Sequence, residues 1–155
     1  MKIAIALHDV SSTSRLADFV RTLLAFDLNI DMVVFSRVSG AAAQYGLAEA
    51  SKTLFKKGIR FLILQDIEDY HDVFGGYKVI QYSASYGKPI SSSSDLGLSD
   101  EDKVILMFSG SDVGFSSKEM IEGSIAIRSS GAPRELPPES ALGIVLNLLS
   151  KIKLI

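Results

Sequence analysis

The chain opens on Lys2–Leu7, a nearly continuous apolar and β-branched run that stops at His8 and Asp9. A strand with no polar face has to be covered on both sides, which is the situation of a strand in a parallel sheet. Ser11, Ser12, Thr13 and Ser14 then offer helix N-caps, and Leu16, Phe19, Val20, Leu23 and Leu24 follow at helical spacing to about Asp27. One strand and one helix of this kind make a βα unit, and the unit is repeated along the chain.

Ile30–Phe35 reads as a second strand, Ala41–Lys57 as a second helix ending in two lysines before Gly58 as cap, and Arg60–Leu64 as a third strand. Ile67–Val73 is expected as a short helix, Gly75 and Gly76 as a turn and Lys78–Tyr82 as a strand. The serine- and glycine-rich stretch 83–102 reads as a loop or lid inside the fold. Lys103–Phe108 is a further strand, Ser116–Glu122 a short helix capped by Ser116, and Ser124–Ile127 another strand. Pro137 and Pro138 suit the first turn of a final helix running through Leu142, Val145, Leu146, Leu148 and Leu149 to the end of the chain. The order predicts an α/β fold, a parallel sheet with helices on both faces, in which ligands bind beyond the carboxyl ends of the strands.

Composition narrows the function classes. At 155 residues and 47% hydrophobic content the chain is the size of a single domain with a substantial core. Its formal net charge of −2 provides no global field toward nucleic acid, although a local patch remains open. The absence of cysteine excludes disulfides, thiolate metal sites and a cysteine nucleophile. The start lacks the pattern of a signal peptide and no run approaches the roughly 20 apolar residues of a membrane span, so a soluble cytoplasmic protein is expected.

The strand ends hold the candidate chemistry. In MFSGSDVGFSSKEM, Gly110 and Gly114 stand with small polar residues between a buried strand and a helix start, where main-chain amides can face a ligand. The segment is neither a P-loop nor a dinucleotide fingerprint, because the Gly-Lys-Ser/Thr and the third glycine are missing. His8 and Asp9 end the first strand, but the other histidine, His71, reads as part of a surface segment. No His-Glu-x-x-His or Gly-x-Ser-x-Gly occurs, so a structural strand end is expected there and no metal site. Arg21 alone reads as a solvated helix arginine.

Taken together these loops resemble the SPOUT superfamily of S-adenosylmethionine-dependent RNA methyltransferases, in its SpoU-like branch of ribose 2′-O-methyltransferases. ALHDVSSTSRLADFVRTLLAFDLN resembles the first motif, with Arg21, Thr22, Ala25 and Phe26 matching, Arg15 in place of the asparagine, and Thr13 and Ser14 in place of Pro-Gly. VILMFSGSDVGFSSKEM resembles the second, with Gly110, Ser111, Asp112, Gly114 and Phe115 on its positions and Asp112 replacing a glutamate. IAIRSSGAPRELPPESALGIVLNLL resembles the third through Glu139 and Ser140, while Leu142 and Ile144 replace an asparagine and a serine.

The resemblance implies a trefoil knot, with the knot and cofactor region at about residues 104–155, and S-adenosylmethionine as cofactor. It places Phe108, Ser109, Gly110, Ser111, Asp112, Gly114, Ile127, Arg128, Ser129, Leu136, Ser140 and Ala141 around that cofactor, and gives Arg21 and Ser140 catalytic roles. It implies tRNA or rRNA as substrate, with Arg15, Arg128 and Arg134 as further RNA contacts, and a homodimer. The apolar last helix, with Leu142, Val145, Leu149 and Ile152, suits either a second subunit or the chain's own core. A SPOUT-like protein that binds cofactor or RNA without methylating is the alternative.

Overall fold

The apolar runs lie side by side in one sheet. Its strands are β1 (Lys2–Val10), β2 (Met32–Val38), β3 (Arg60–Leu64), β4 (Lys78–Tyr82), β5 (Lys88–Ile90), β6 (Lys103–Ser109) and β7 (Ile125–Ser129). They are ordered β3-β2-β1-β6-β4-β7-β5, and every pairing is parallel. The helices are α1 (Thr13–Leu24), α2 (Leu47–Lys56), α3 (Asp69–Val73) and α4 (Pro138–Leu149). This computed structural model describes residues 1–152.

Successive side chains of a strand face opposite sides, and β1 shows why its run has no polar alternation. Ile3, Ile5 and Leu7 pack with Leu16, Phe19, Val20 and Leu23 of α1, Leu54 of α2, and Leu142, Val145 and Leu146 of α4. Ala4 and Ala6 pack on the other side with Val34, Ile105, Met107 and with Tyr70 and Phe74 of the α3 region. The face of α4 that left two readings open is therefore core of its own chain: Leu142, Val145 and Leu146 have no exposed surface. Each such side chain contributes about 1.5–3 kcal/mol relative to exposure.

Several elements differ from the expected ones. The second helix starts with a π-helical turn, Ala42–Gly46, and α3 begins at Asp69, whose carboxylate accepts the N–H groups of Gln65 and Asp66. The stretch 83–102 is not all loop, because it contains β5 and a 3₁₀ turn, Ser93–Leu96, with Asp95 accepting the Ser91 and Ser92 N–H groups. In place of a helix over 116–122 there is one 3₁₀ turn, Ser117–Glu119. Ser116 caps it as expected, but the Gln81 side chain takes both the Glu119 carbonyl and the Ile121 N–H, so the turn cannot propagate. The expected end of the final helix at residues 153–155 lies outside the described residues.

One crossing organises the carboxyl half. β7 inserts between β4 and β5 although it comes later in the chain, and Tyr82 and Lys88 both pair with Ile127. The link 83–87 therefore bridges over β7 at Ile127, with Ser83 donating to the Ile127 carbonyl at 2.9 Å. A Cβ at Gly87 would stand 2.4 Å from the Ile127 carbonyl carbon and 2.3 Å from the Ser83 oxygen, so only glycine fits under this bridge.

Candidate functional site

Three segments meet at the carboxyl ends of β4, β6 and β7: the 83–87 link, the loop after β6 and the stretch between β7 and α4. Glu135 joins them. Its carboxylate accepts the Ala84 N–H at 2.9 Å and lies against Gly114, whose φ of +76° and whose missing Cβ, which would sit 2.7 Å from that carboxyl, both call for glycine. Burial raises the Glu135 carboxyl above its ordinary value, against the lowering effect of the Ala84 N–H.

The expected cofactor residues divide into those on this cleft and those behind it. Ser109 accepts the Ser111 N–H, Asp112 forms an exposed pair with Arg15 at 2.9 Å, and Arg15 also donates to the Gly110 carbonyl at 2.7 Å. Gly110 is closed from behind by β1, donating its N–H to the His8 carbonyl at 2.7 Å. The Ser129 N–H donates to the Tyr82 hydroxyl, and Arg128 folds back on the Ser129 carbonyl. The side chains of Phe108, Ile127 and Ala141 are core, Phe108 packing against Tyr82 and Phe19, so these residues can offer a ligand only their main chain. Leu136 is half-buried against the core, Ser140 is exposed in the first turn of α4, and the neighbouring Glu139 has a buried carboxylate oxygen with no hydrogen-bond partner.

Arg21 is not brought to these loops. It lies in the last turn of α1, beside an open groove of about 520 Å³ between α1 and α2 that Thr13, Ala17, Glu49 and Thr53 also line. Arg15, roughly 9 Å away along the helix axis, is the α1 arginine that reaches the cleft.

A second constellation went unseen in the sequence. His8 Nδ1 is 2.8 Å from Ser36 Oγ, which is 2.6 Å from the Tyr70 hydroxyl; His8 Nε2 is 3.0 Å from Glu119 Oε2. Arg37 donates to Glu119 at 2.9 Å and to Asp66 at 2.7 Å. One proton assignment serves all of them, with Nε2–H donating to the Glu119 carboxylate, Ser36 donating to Nδ1 and Tyr70 donating to Ser36. The residue types are those of a Ser-His-acid triad. His8 and Ser36 have no exposed surface, however, so no substrate reaches the hydroxyl and the chain of bonds is a structural lock.

That lock fixes the turn that follows the β6 loop. Asp9 and Arg37, at facing positions near the ends of β1 and β2, adopt φ of +65° and +45°, conformations costing on the order of 1–3 kcal/mol each. Burial, then the Arg37 charge, lower His8 despite Glu119. Burial raises Glu119, but the Ser116 N–H and hydroxyl and His8 outweigh it and hold the carboxyl below its ordinary value. His8 and Asp9 were legible as a strand end; Glu119, which arrives from a distant turn, carried no local signal. Among the described residues no three His, Asp or Glu side chains stand together as a metal site.

Comparison with known proteins gives two different answers. A model of the RecB-family nuclease family DUF2122 matches residues 40–148. The chain belongs to this family. Beside DUF2122, the chain is 28% identical over 144 residues, 92% of its length and 89% of the relative's, to ApeKORF2002P of Aeropyrum pernix, a protein named as a candidate type II restriction enzyme. It is 26% identical over 123 residues, 79% of its length and 80% of the relative's, to MjaORF1200P of Methanocaldococcus jannaschii, named likewise.

The fold of this DUF2122 chain, by contrast, is that of SpoU/TrmH-type RNA methyltransferases. A chain from a study of 2-OH methylation of C/U34 on tRNA superposes with a TM-score of 0.71 at 15% identity, covering 96% of this chain and 97% of that one. A TrmH/SpoU tRNA modifying enzyme from A. aeolicus gives 0.62 at 14% identity over 94% and 72% of the two chains. A methyltransferase described as probable, from Bordetella pertussis Tohama I, gives 0.67 at 12% identity over 94% and 92%.

Proposed function

We propose that this chain is an S-adenosylmethionine-dependent RNA methyltransferase acting on a ribose 2′-hydroxyl of tRNA or rRNA. The observation that carries the reading is the cleft joined by Glu135, where the 83–87 link, the 110–114 loop and the start of α4 meet over the β7 crossing. The same crossing supports a trefoil knot over about residues 104–155. The likeness in fold to tRNA-modifying enzymes agrees with both.

The residues of the cleft fit that cofactor. A cationic sulfonium with ribose hydroxyls and an ammonium needs acceptors, and the cleft and the first turn of α4 supply Glu135, Asp112 and the unpartnered Glu139 oxygen. Main-chain groups of Phe108–Gly110, Ile127–Ser129 and Leu136–Ala141 would hold the adenine, ribose and methionine parts. When bound, the cofactor would supply an electrophilic methyl for in-line transfer to the ribose oxygen, its demethylated thioether being the leaving group. Positioning would supply much of the barrier reduction for such a transfer.

A guanidinium offers N–H donors and no acceptor, so the work of Arg21 is to anchor the target's phosphate and to stabilise the developing alkoxide rather than to take the proton. Its place on α1, away from the cleft of its own chain, fits service to the cleft of a second copy in a homodimer. Arg15, Arg128 and Arg134 extend the RNA contact, and the exposed Ser140 hydroxyl at the start of α4 orients the acceptor.

The name of DUF2122 favours a second reading, phosphodiester hydrolysis. Metal-assisted hydrolysis needs side chains gathered around one or two cations, and the described residues contain no such group. The deciding assay incubates the protein with methyl-labelled S-adenosylmethionine and bulk tRNA or rRNA, and separately with DNA and RNA in magnesium. Label in the ribose, lost in Arg21→Ala with cofactor affinity kept within a few-fold, is the expected result; strand cleavage without label transfer would overturn the reading.

A further inference from the structure

His8 meets the loop after β6 at both of its ends. Its main-chain carbonyl accepts the Gly110 N–H at 2.7 Å where the loop leaves the strand, and its Nε2 stands 3.0 Å from Glu119 Oε2 where the loop closes. Between these points the Phe115 ring stacks on the imidazole, with centroids 6.1 Å apart and planes inclined by 15°. The only regular structure in the segment is the 3₁₀ turn Ser117–Glu119, so its place is set by what holds it. A loop with few bonds of its own opens at little cost in free energy unless it is anchored. The same loop forms a wall of the cleft, Gly114 lying against the Glu135 carboxylate and Asp112 standing exposed beside Arg15.

We propose that His8 is the positioning residue of the cofactor loop, and that its Nε2–H bond to Glu119 sets the affinity of the cleft for S-adenosylmethionine. This role rests on the reading of the cleft as that cofactor's site. His8 has no exposed surface, so it acts only through the loop. A loop already held in its binding conformation gives up less freedom when a ligand arrives, and the difference appears in affinity. The ring is oriented for the task. Ser36 accepts from Tyr70 and donates to Nδ1, which keeps the ring proton on Nε2, facing Glu119.

Two substitutions divide the bonds of the ring. The amide of His8→Gln reaches the place of Nε2 and can donate to Glu119, whereas the amide of His8→Asn reaches only the place of Nδ1, beside Ser36, and leaves Glu119 without that donor. Both lose the ring that stacks on Phe115, so both lose stability in urea unfolding, and a merely structural role predicts nothing more. The positioning role predicts that the two part. In the free chain the main-chain amides of 111–118 should exchange with solvent at least about tenfold faster in His8→Asn than in His8→Gln. The dissociation constants of S-adenosylmethionine and its demethylated product, read by calorimetry, should be at least about tenfold higher in His8→Asn than in His8→Gln. Glu119→Gln reaches the same contact from its partly exposed end. The carboxylate uses one oxygen for the Ser116 N–H and the other for His8 and Arg37, and a single amide oxygen cannot serve both. Faster loop exchange and weaker binding are therefore expected there too, whether or not His8→Asn folds. Folded His8 variants that exchange and bind alike, or a Glu119→Gln chain indistinguishable from the wild type, would overturn the role of His8. A wild-type chain that binds neither ligand would overturn the reading of the cleft and the affinity claim with it, while the exchange rates of the free chain still decide whether His8 holds the loop.

Discussion

His8 shows how one residue can look idle in a sequence and be central in the structure. It holds the Glu119 turn behind the cleft, and both of its ring nitrogens are occupied. Truncating His8→Ala strands the Ser36 hydroxyl and leaves a cavity in a site without solvent, so a loss of about 2–4 kcal/mol is expected in urea denaturation. Tyr70→Phe removes only the last hydroxyl of the chain of bonds and should cost about 1 kcal/mol. The pH dependence follows from the same geometry. Because His8 titrates below its ordinary 6.5 when folded, the unfolded chain binds a proton that the folded chain refuses. Stability is therefore whole above that value and falls as the pH drops beneath it. Glu119, held below 4.5, adds a second loss as the pH falls through its folded-state value. In His8→Asn the first decline should vanish from stability-versus-pH curves while the second remains; an unchanged curve would mean that His8 is not buried neutral.

At the scale of elements, what was legible was what depends on local burial. β1, β4 and β6 begin or end within a residue or two of the unbroken apolar runs, because parallel strands buried in the sheet write a continuous signal, and β3 at the edge carries the same apolar run although Phe61 and Ile63 are exposed. Elements set by long-range contacts were not legible. The turn at 117–119 is short because Gln81 intercepts it, and β5 is a strand only because β7 lies beside it. The link between β4 and β5 provides the corresponding test. Gly87→Ala places a methyl into main chain on both sides and should cost more than about 3 kcal/mol or prevent folding. Gly114→Ala meets a side chain instead, so its cost of about 1–3 kcal/mol should be partly recovered in the double variant with Glu135→Ala. Equal losses at the two glycines, read by thermal and urea unfolding, would contradict the assigned crossing.

For the whole molecule, the α/β class and the positions of the ligand-side loops followed from the strand-helix order, but the β7 crossing could not. Crossings of this kind are rare exceptions to the rules of chain connection, and nothing in residues 83–87 marks them except a glycine. The candidate site was legible in part: Gly110, Asp112, Gly114 and Ser129 lie at the cleft, whereas Glu135, which joins its walls, carried no signal in the sequence, and Arg15, which reaches the cleft, was read only as a replaced asparagine and an RNA contact. The chain belongs to DUF2122 and shares its fold with RNA methyltransferases, and the proposed reading of its cleft can be tested directly. The most direct measurement is a calorimetric titration of the wild-type chain and of Glu135→Ala with S-adenosylmethionine and with its demethylated product. Saturable binding by the wild type, weakened at least about tenfold in a folded Glu135→Ala protein, is the predicted result. No binding at millimolar ligand, or binding indifferent to Glu135, would contradict the account.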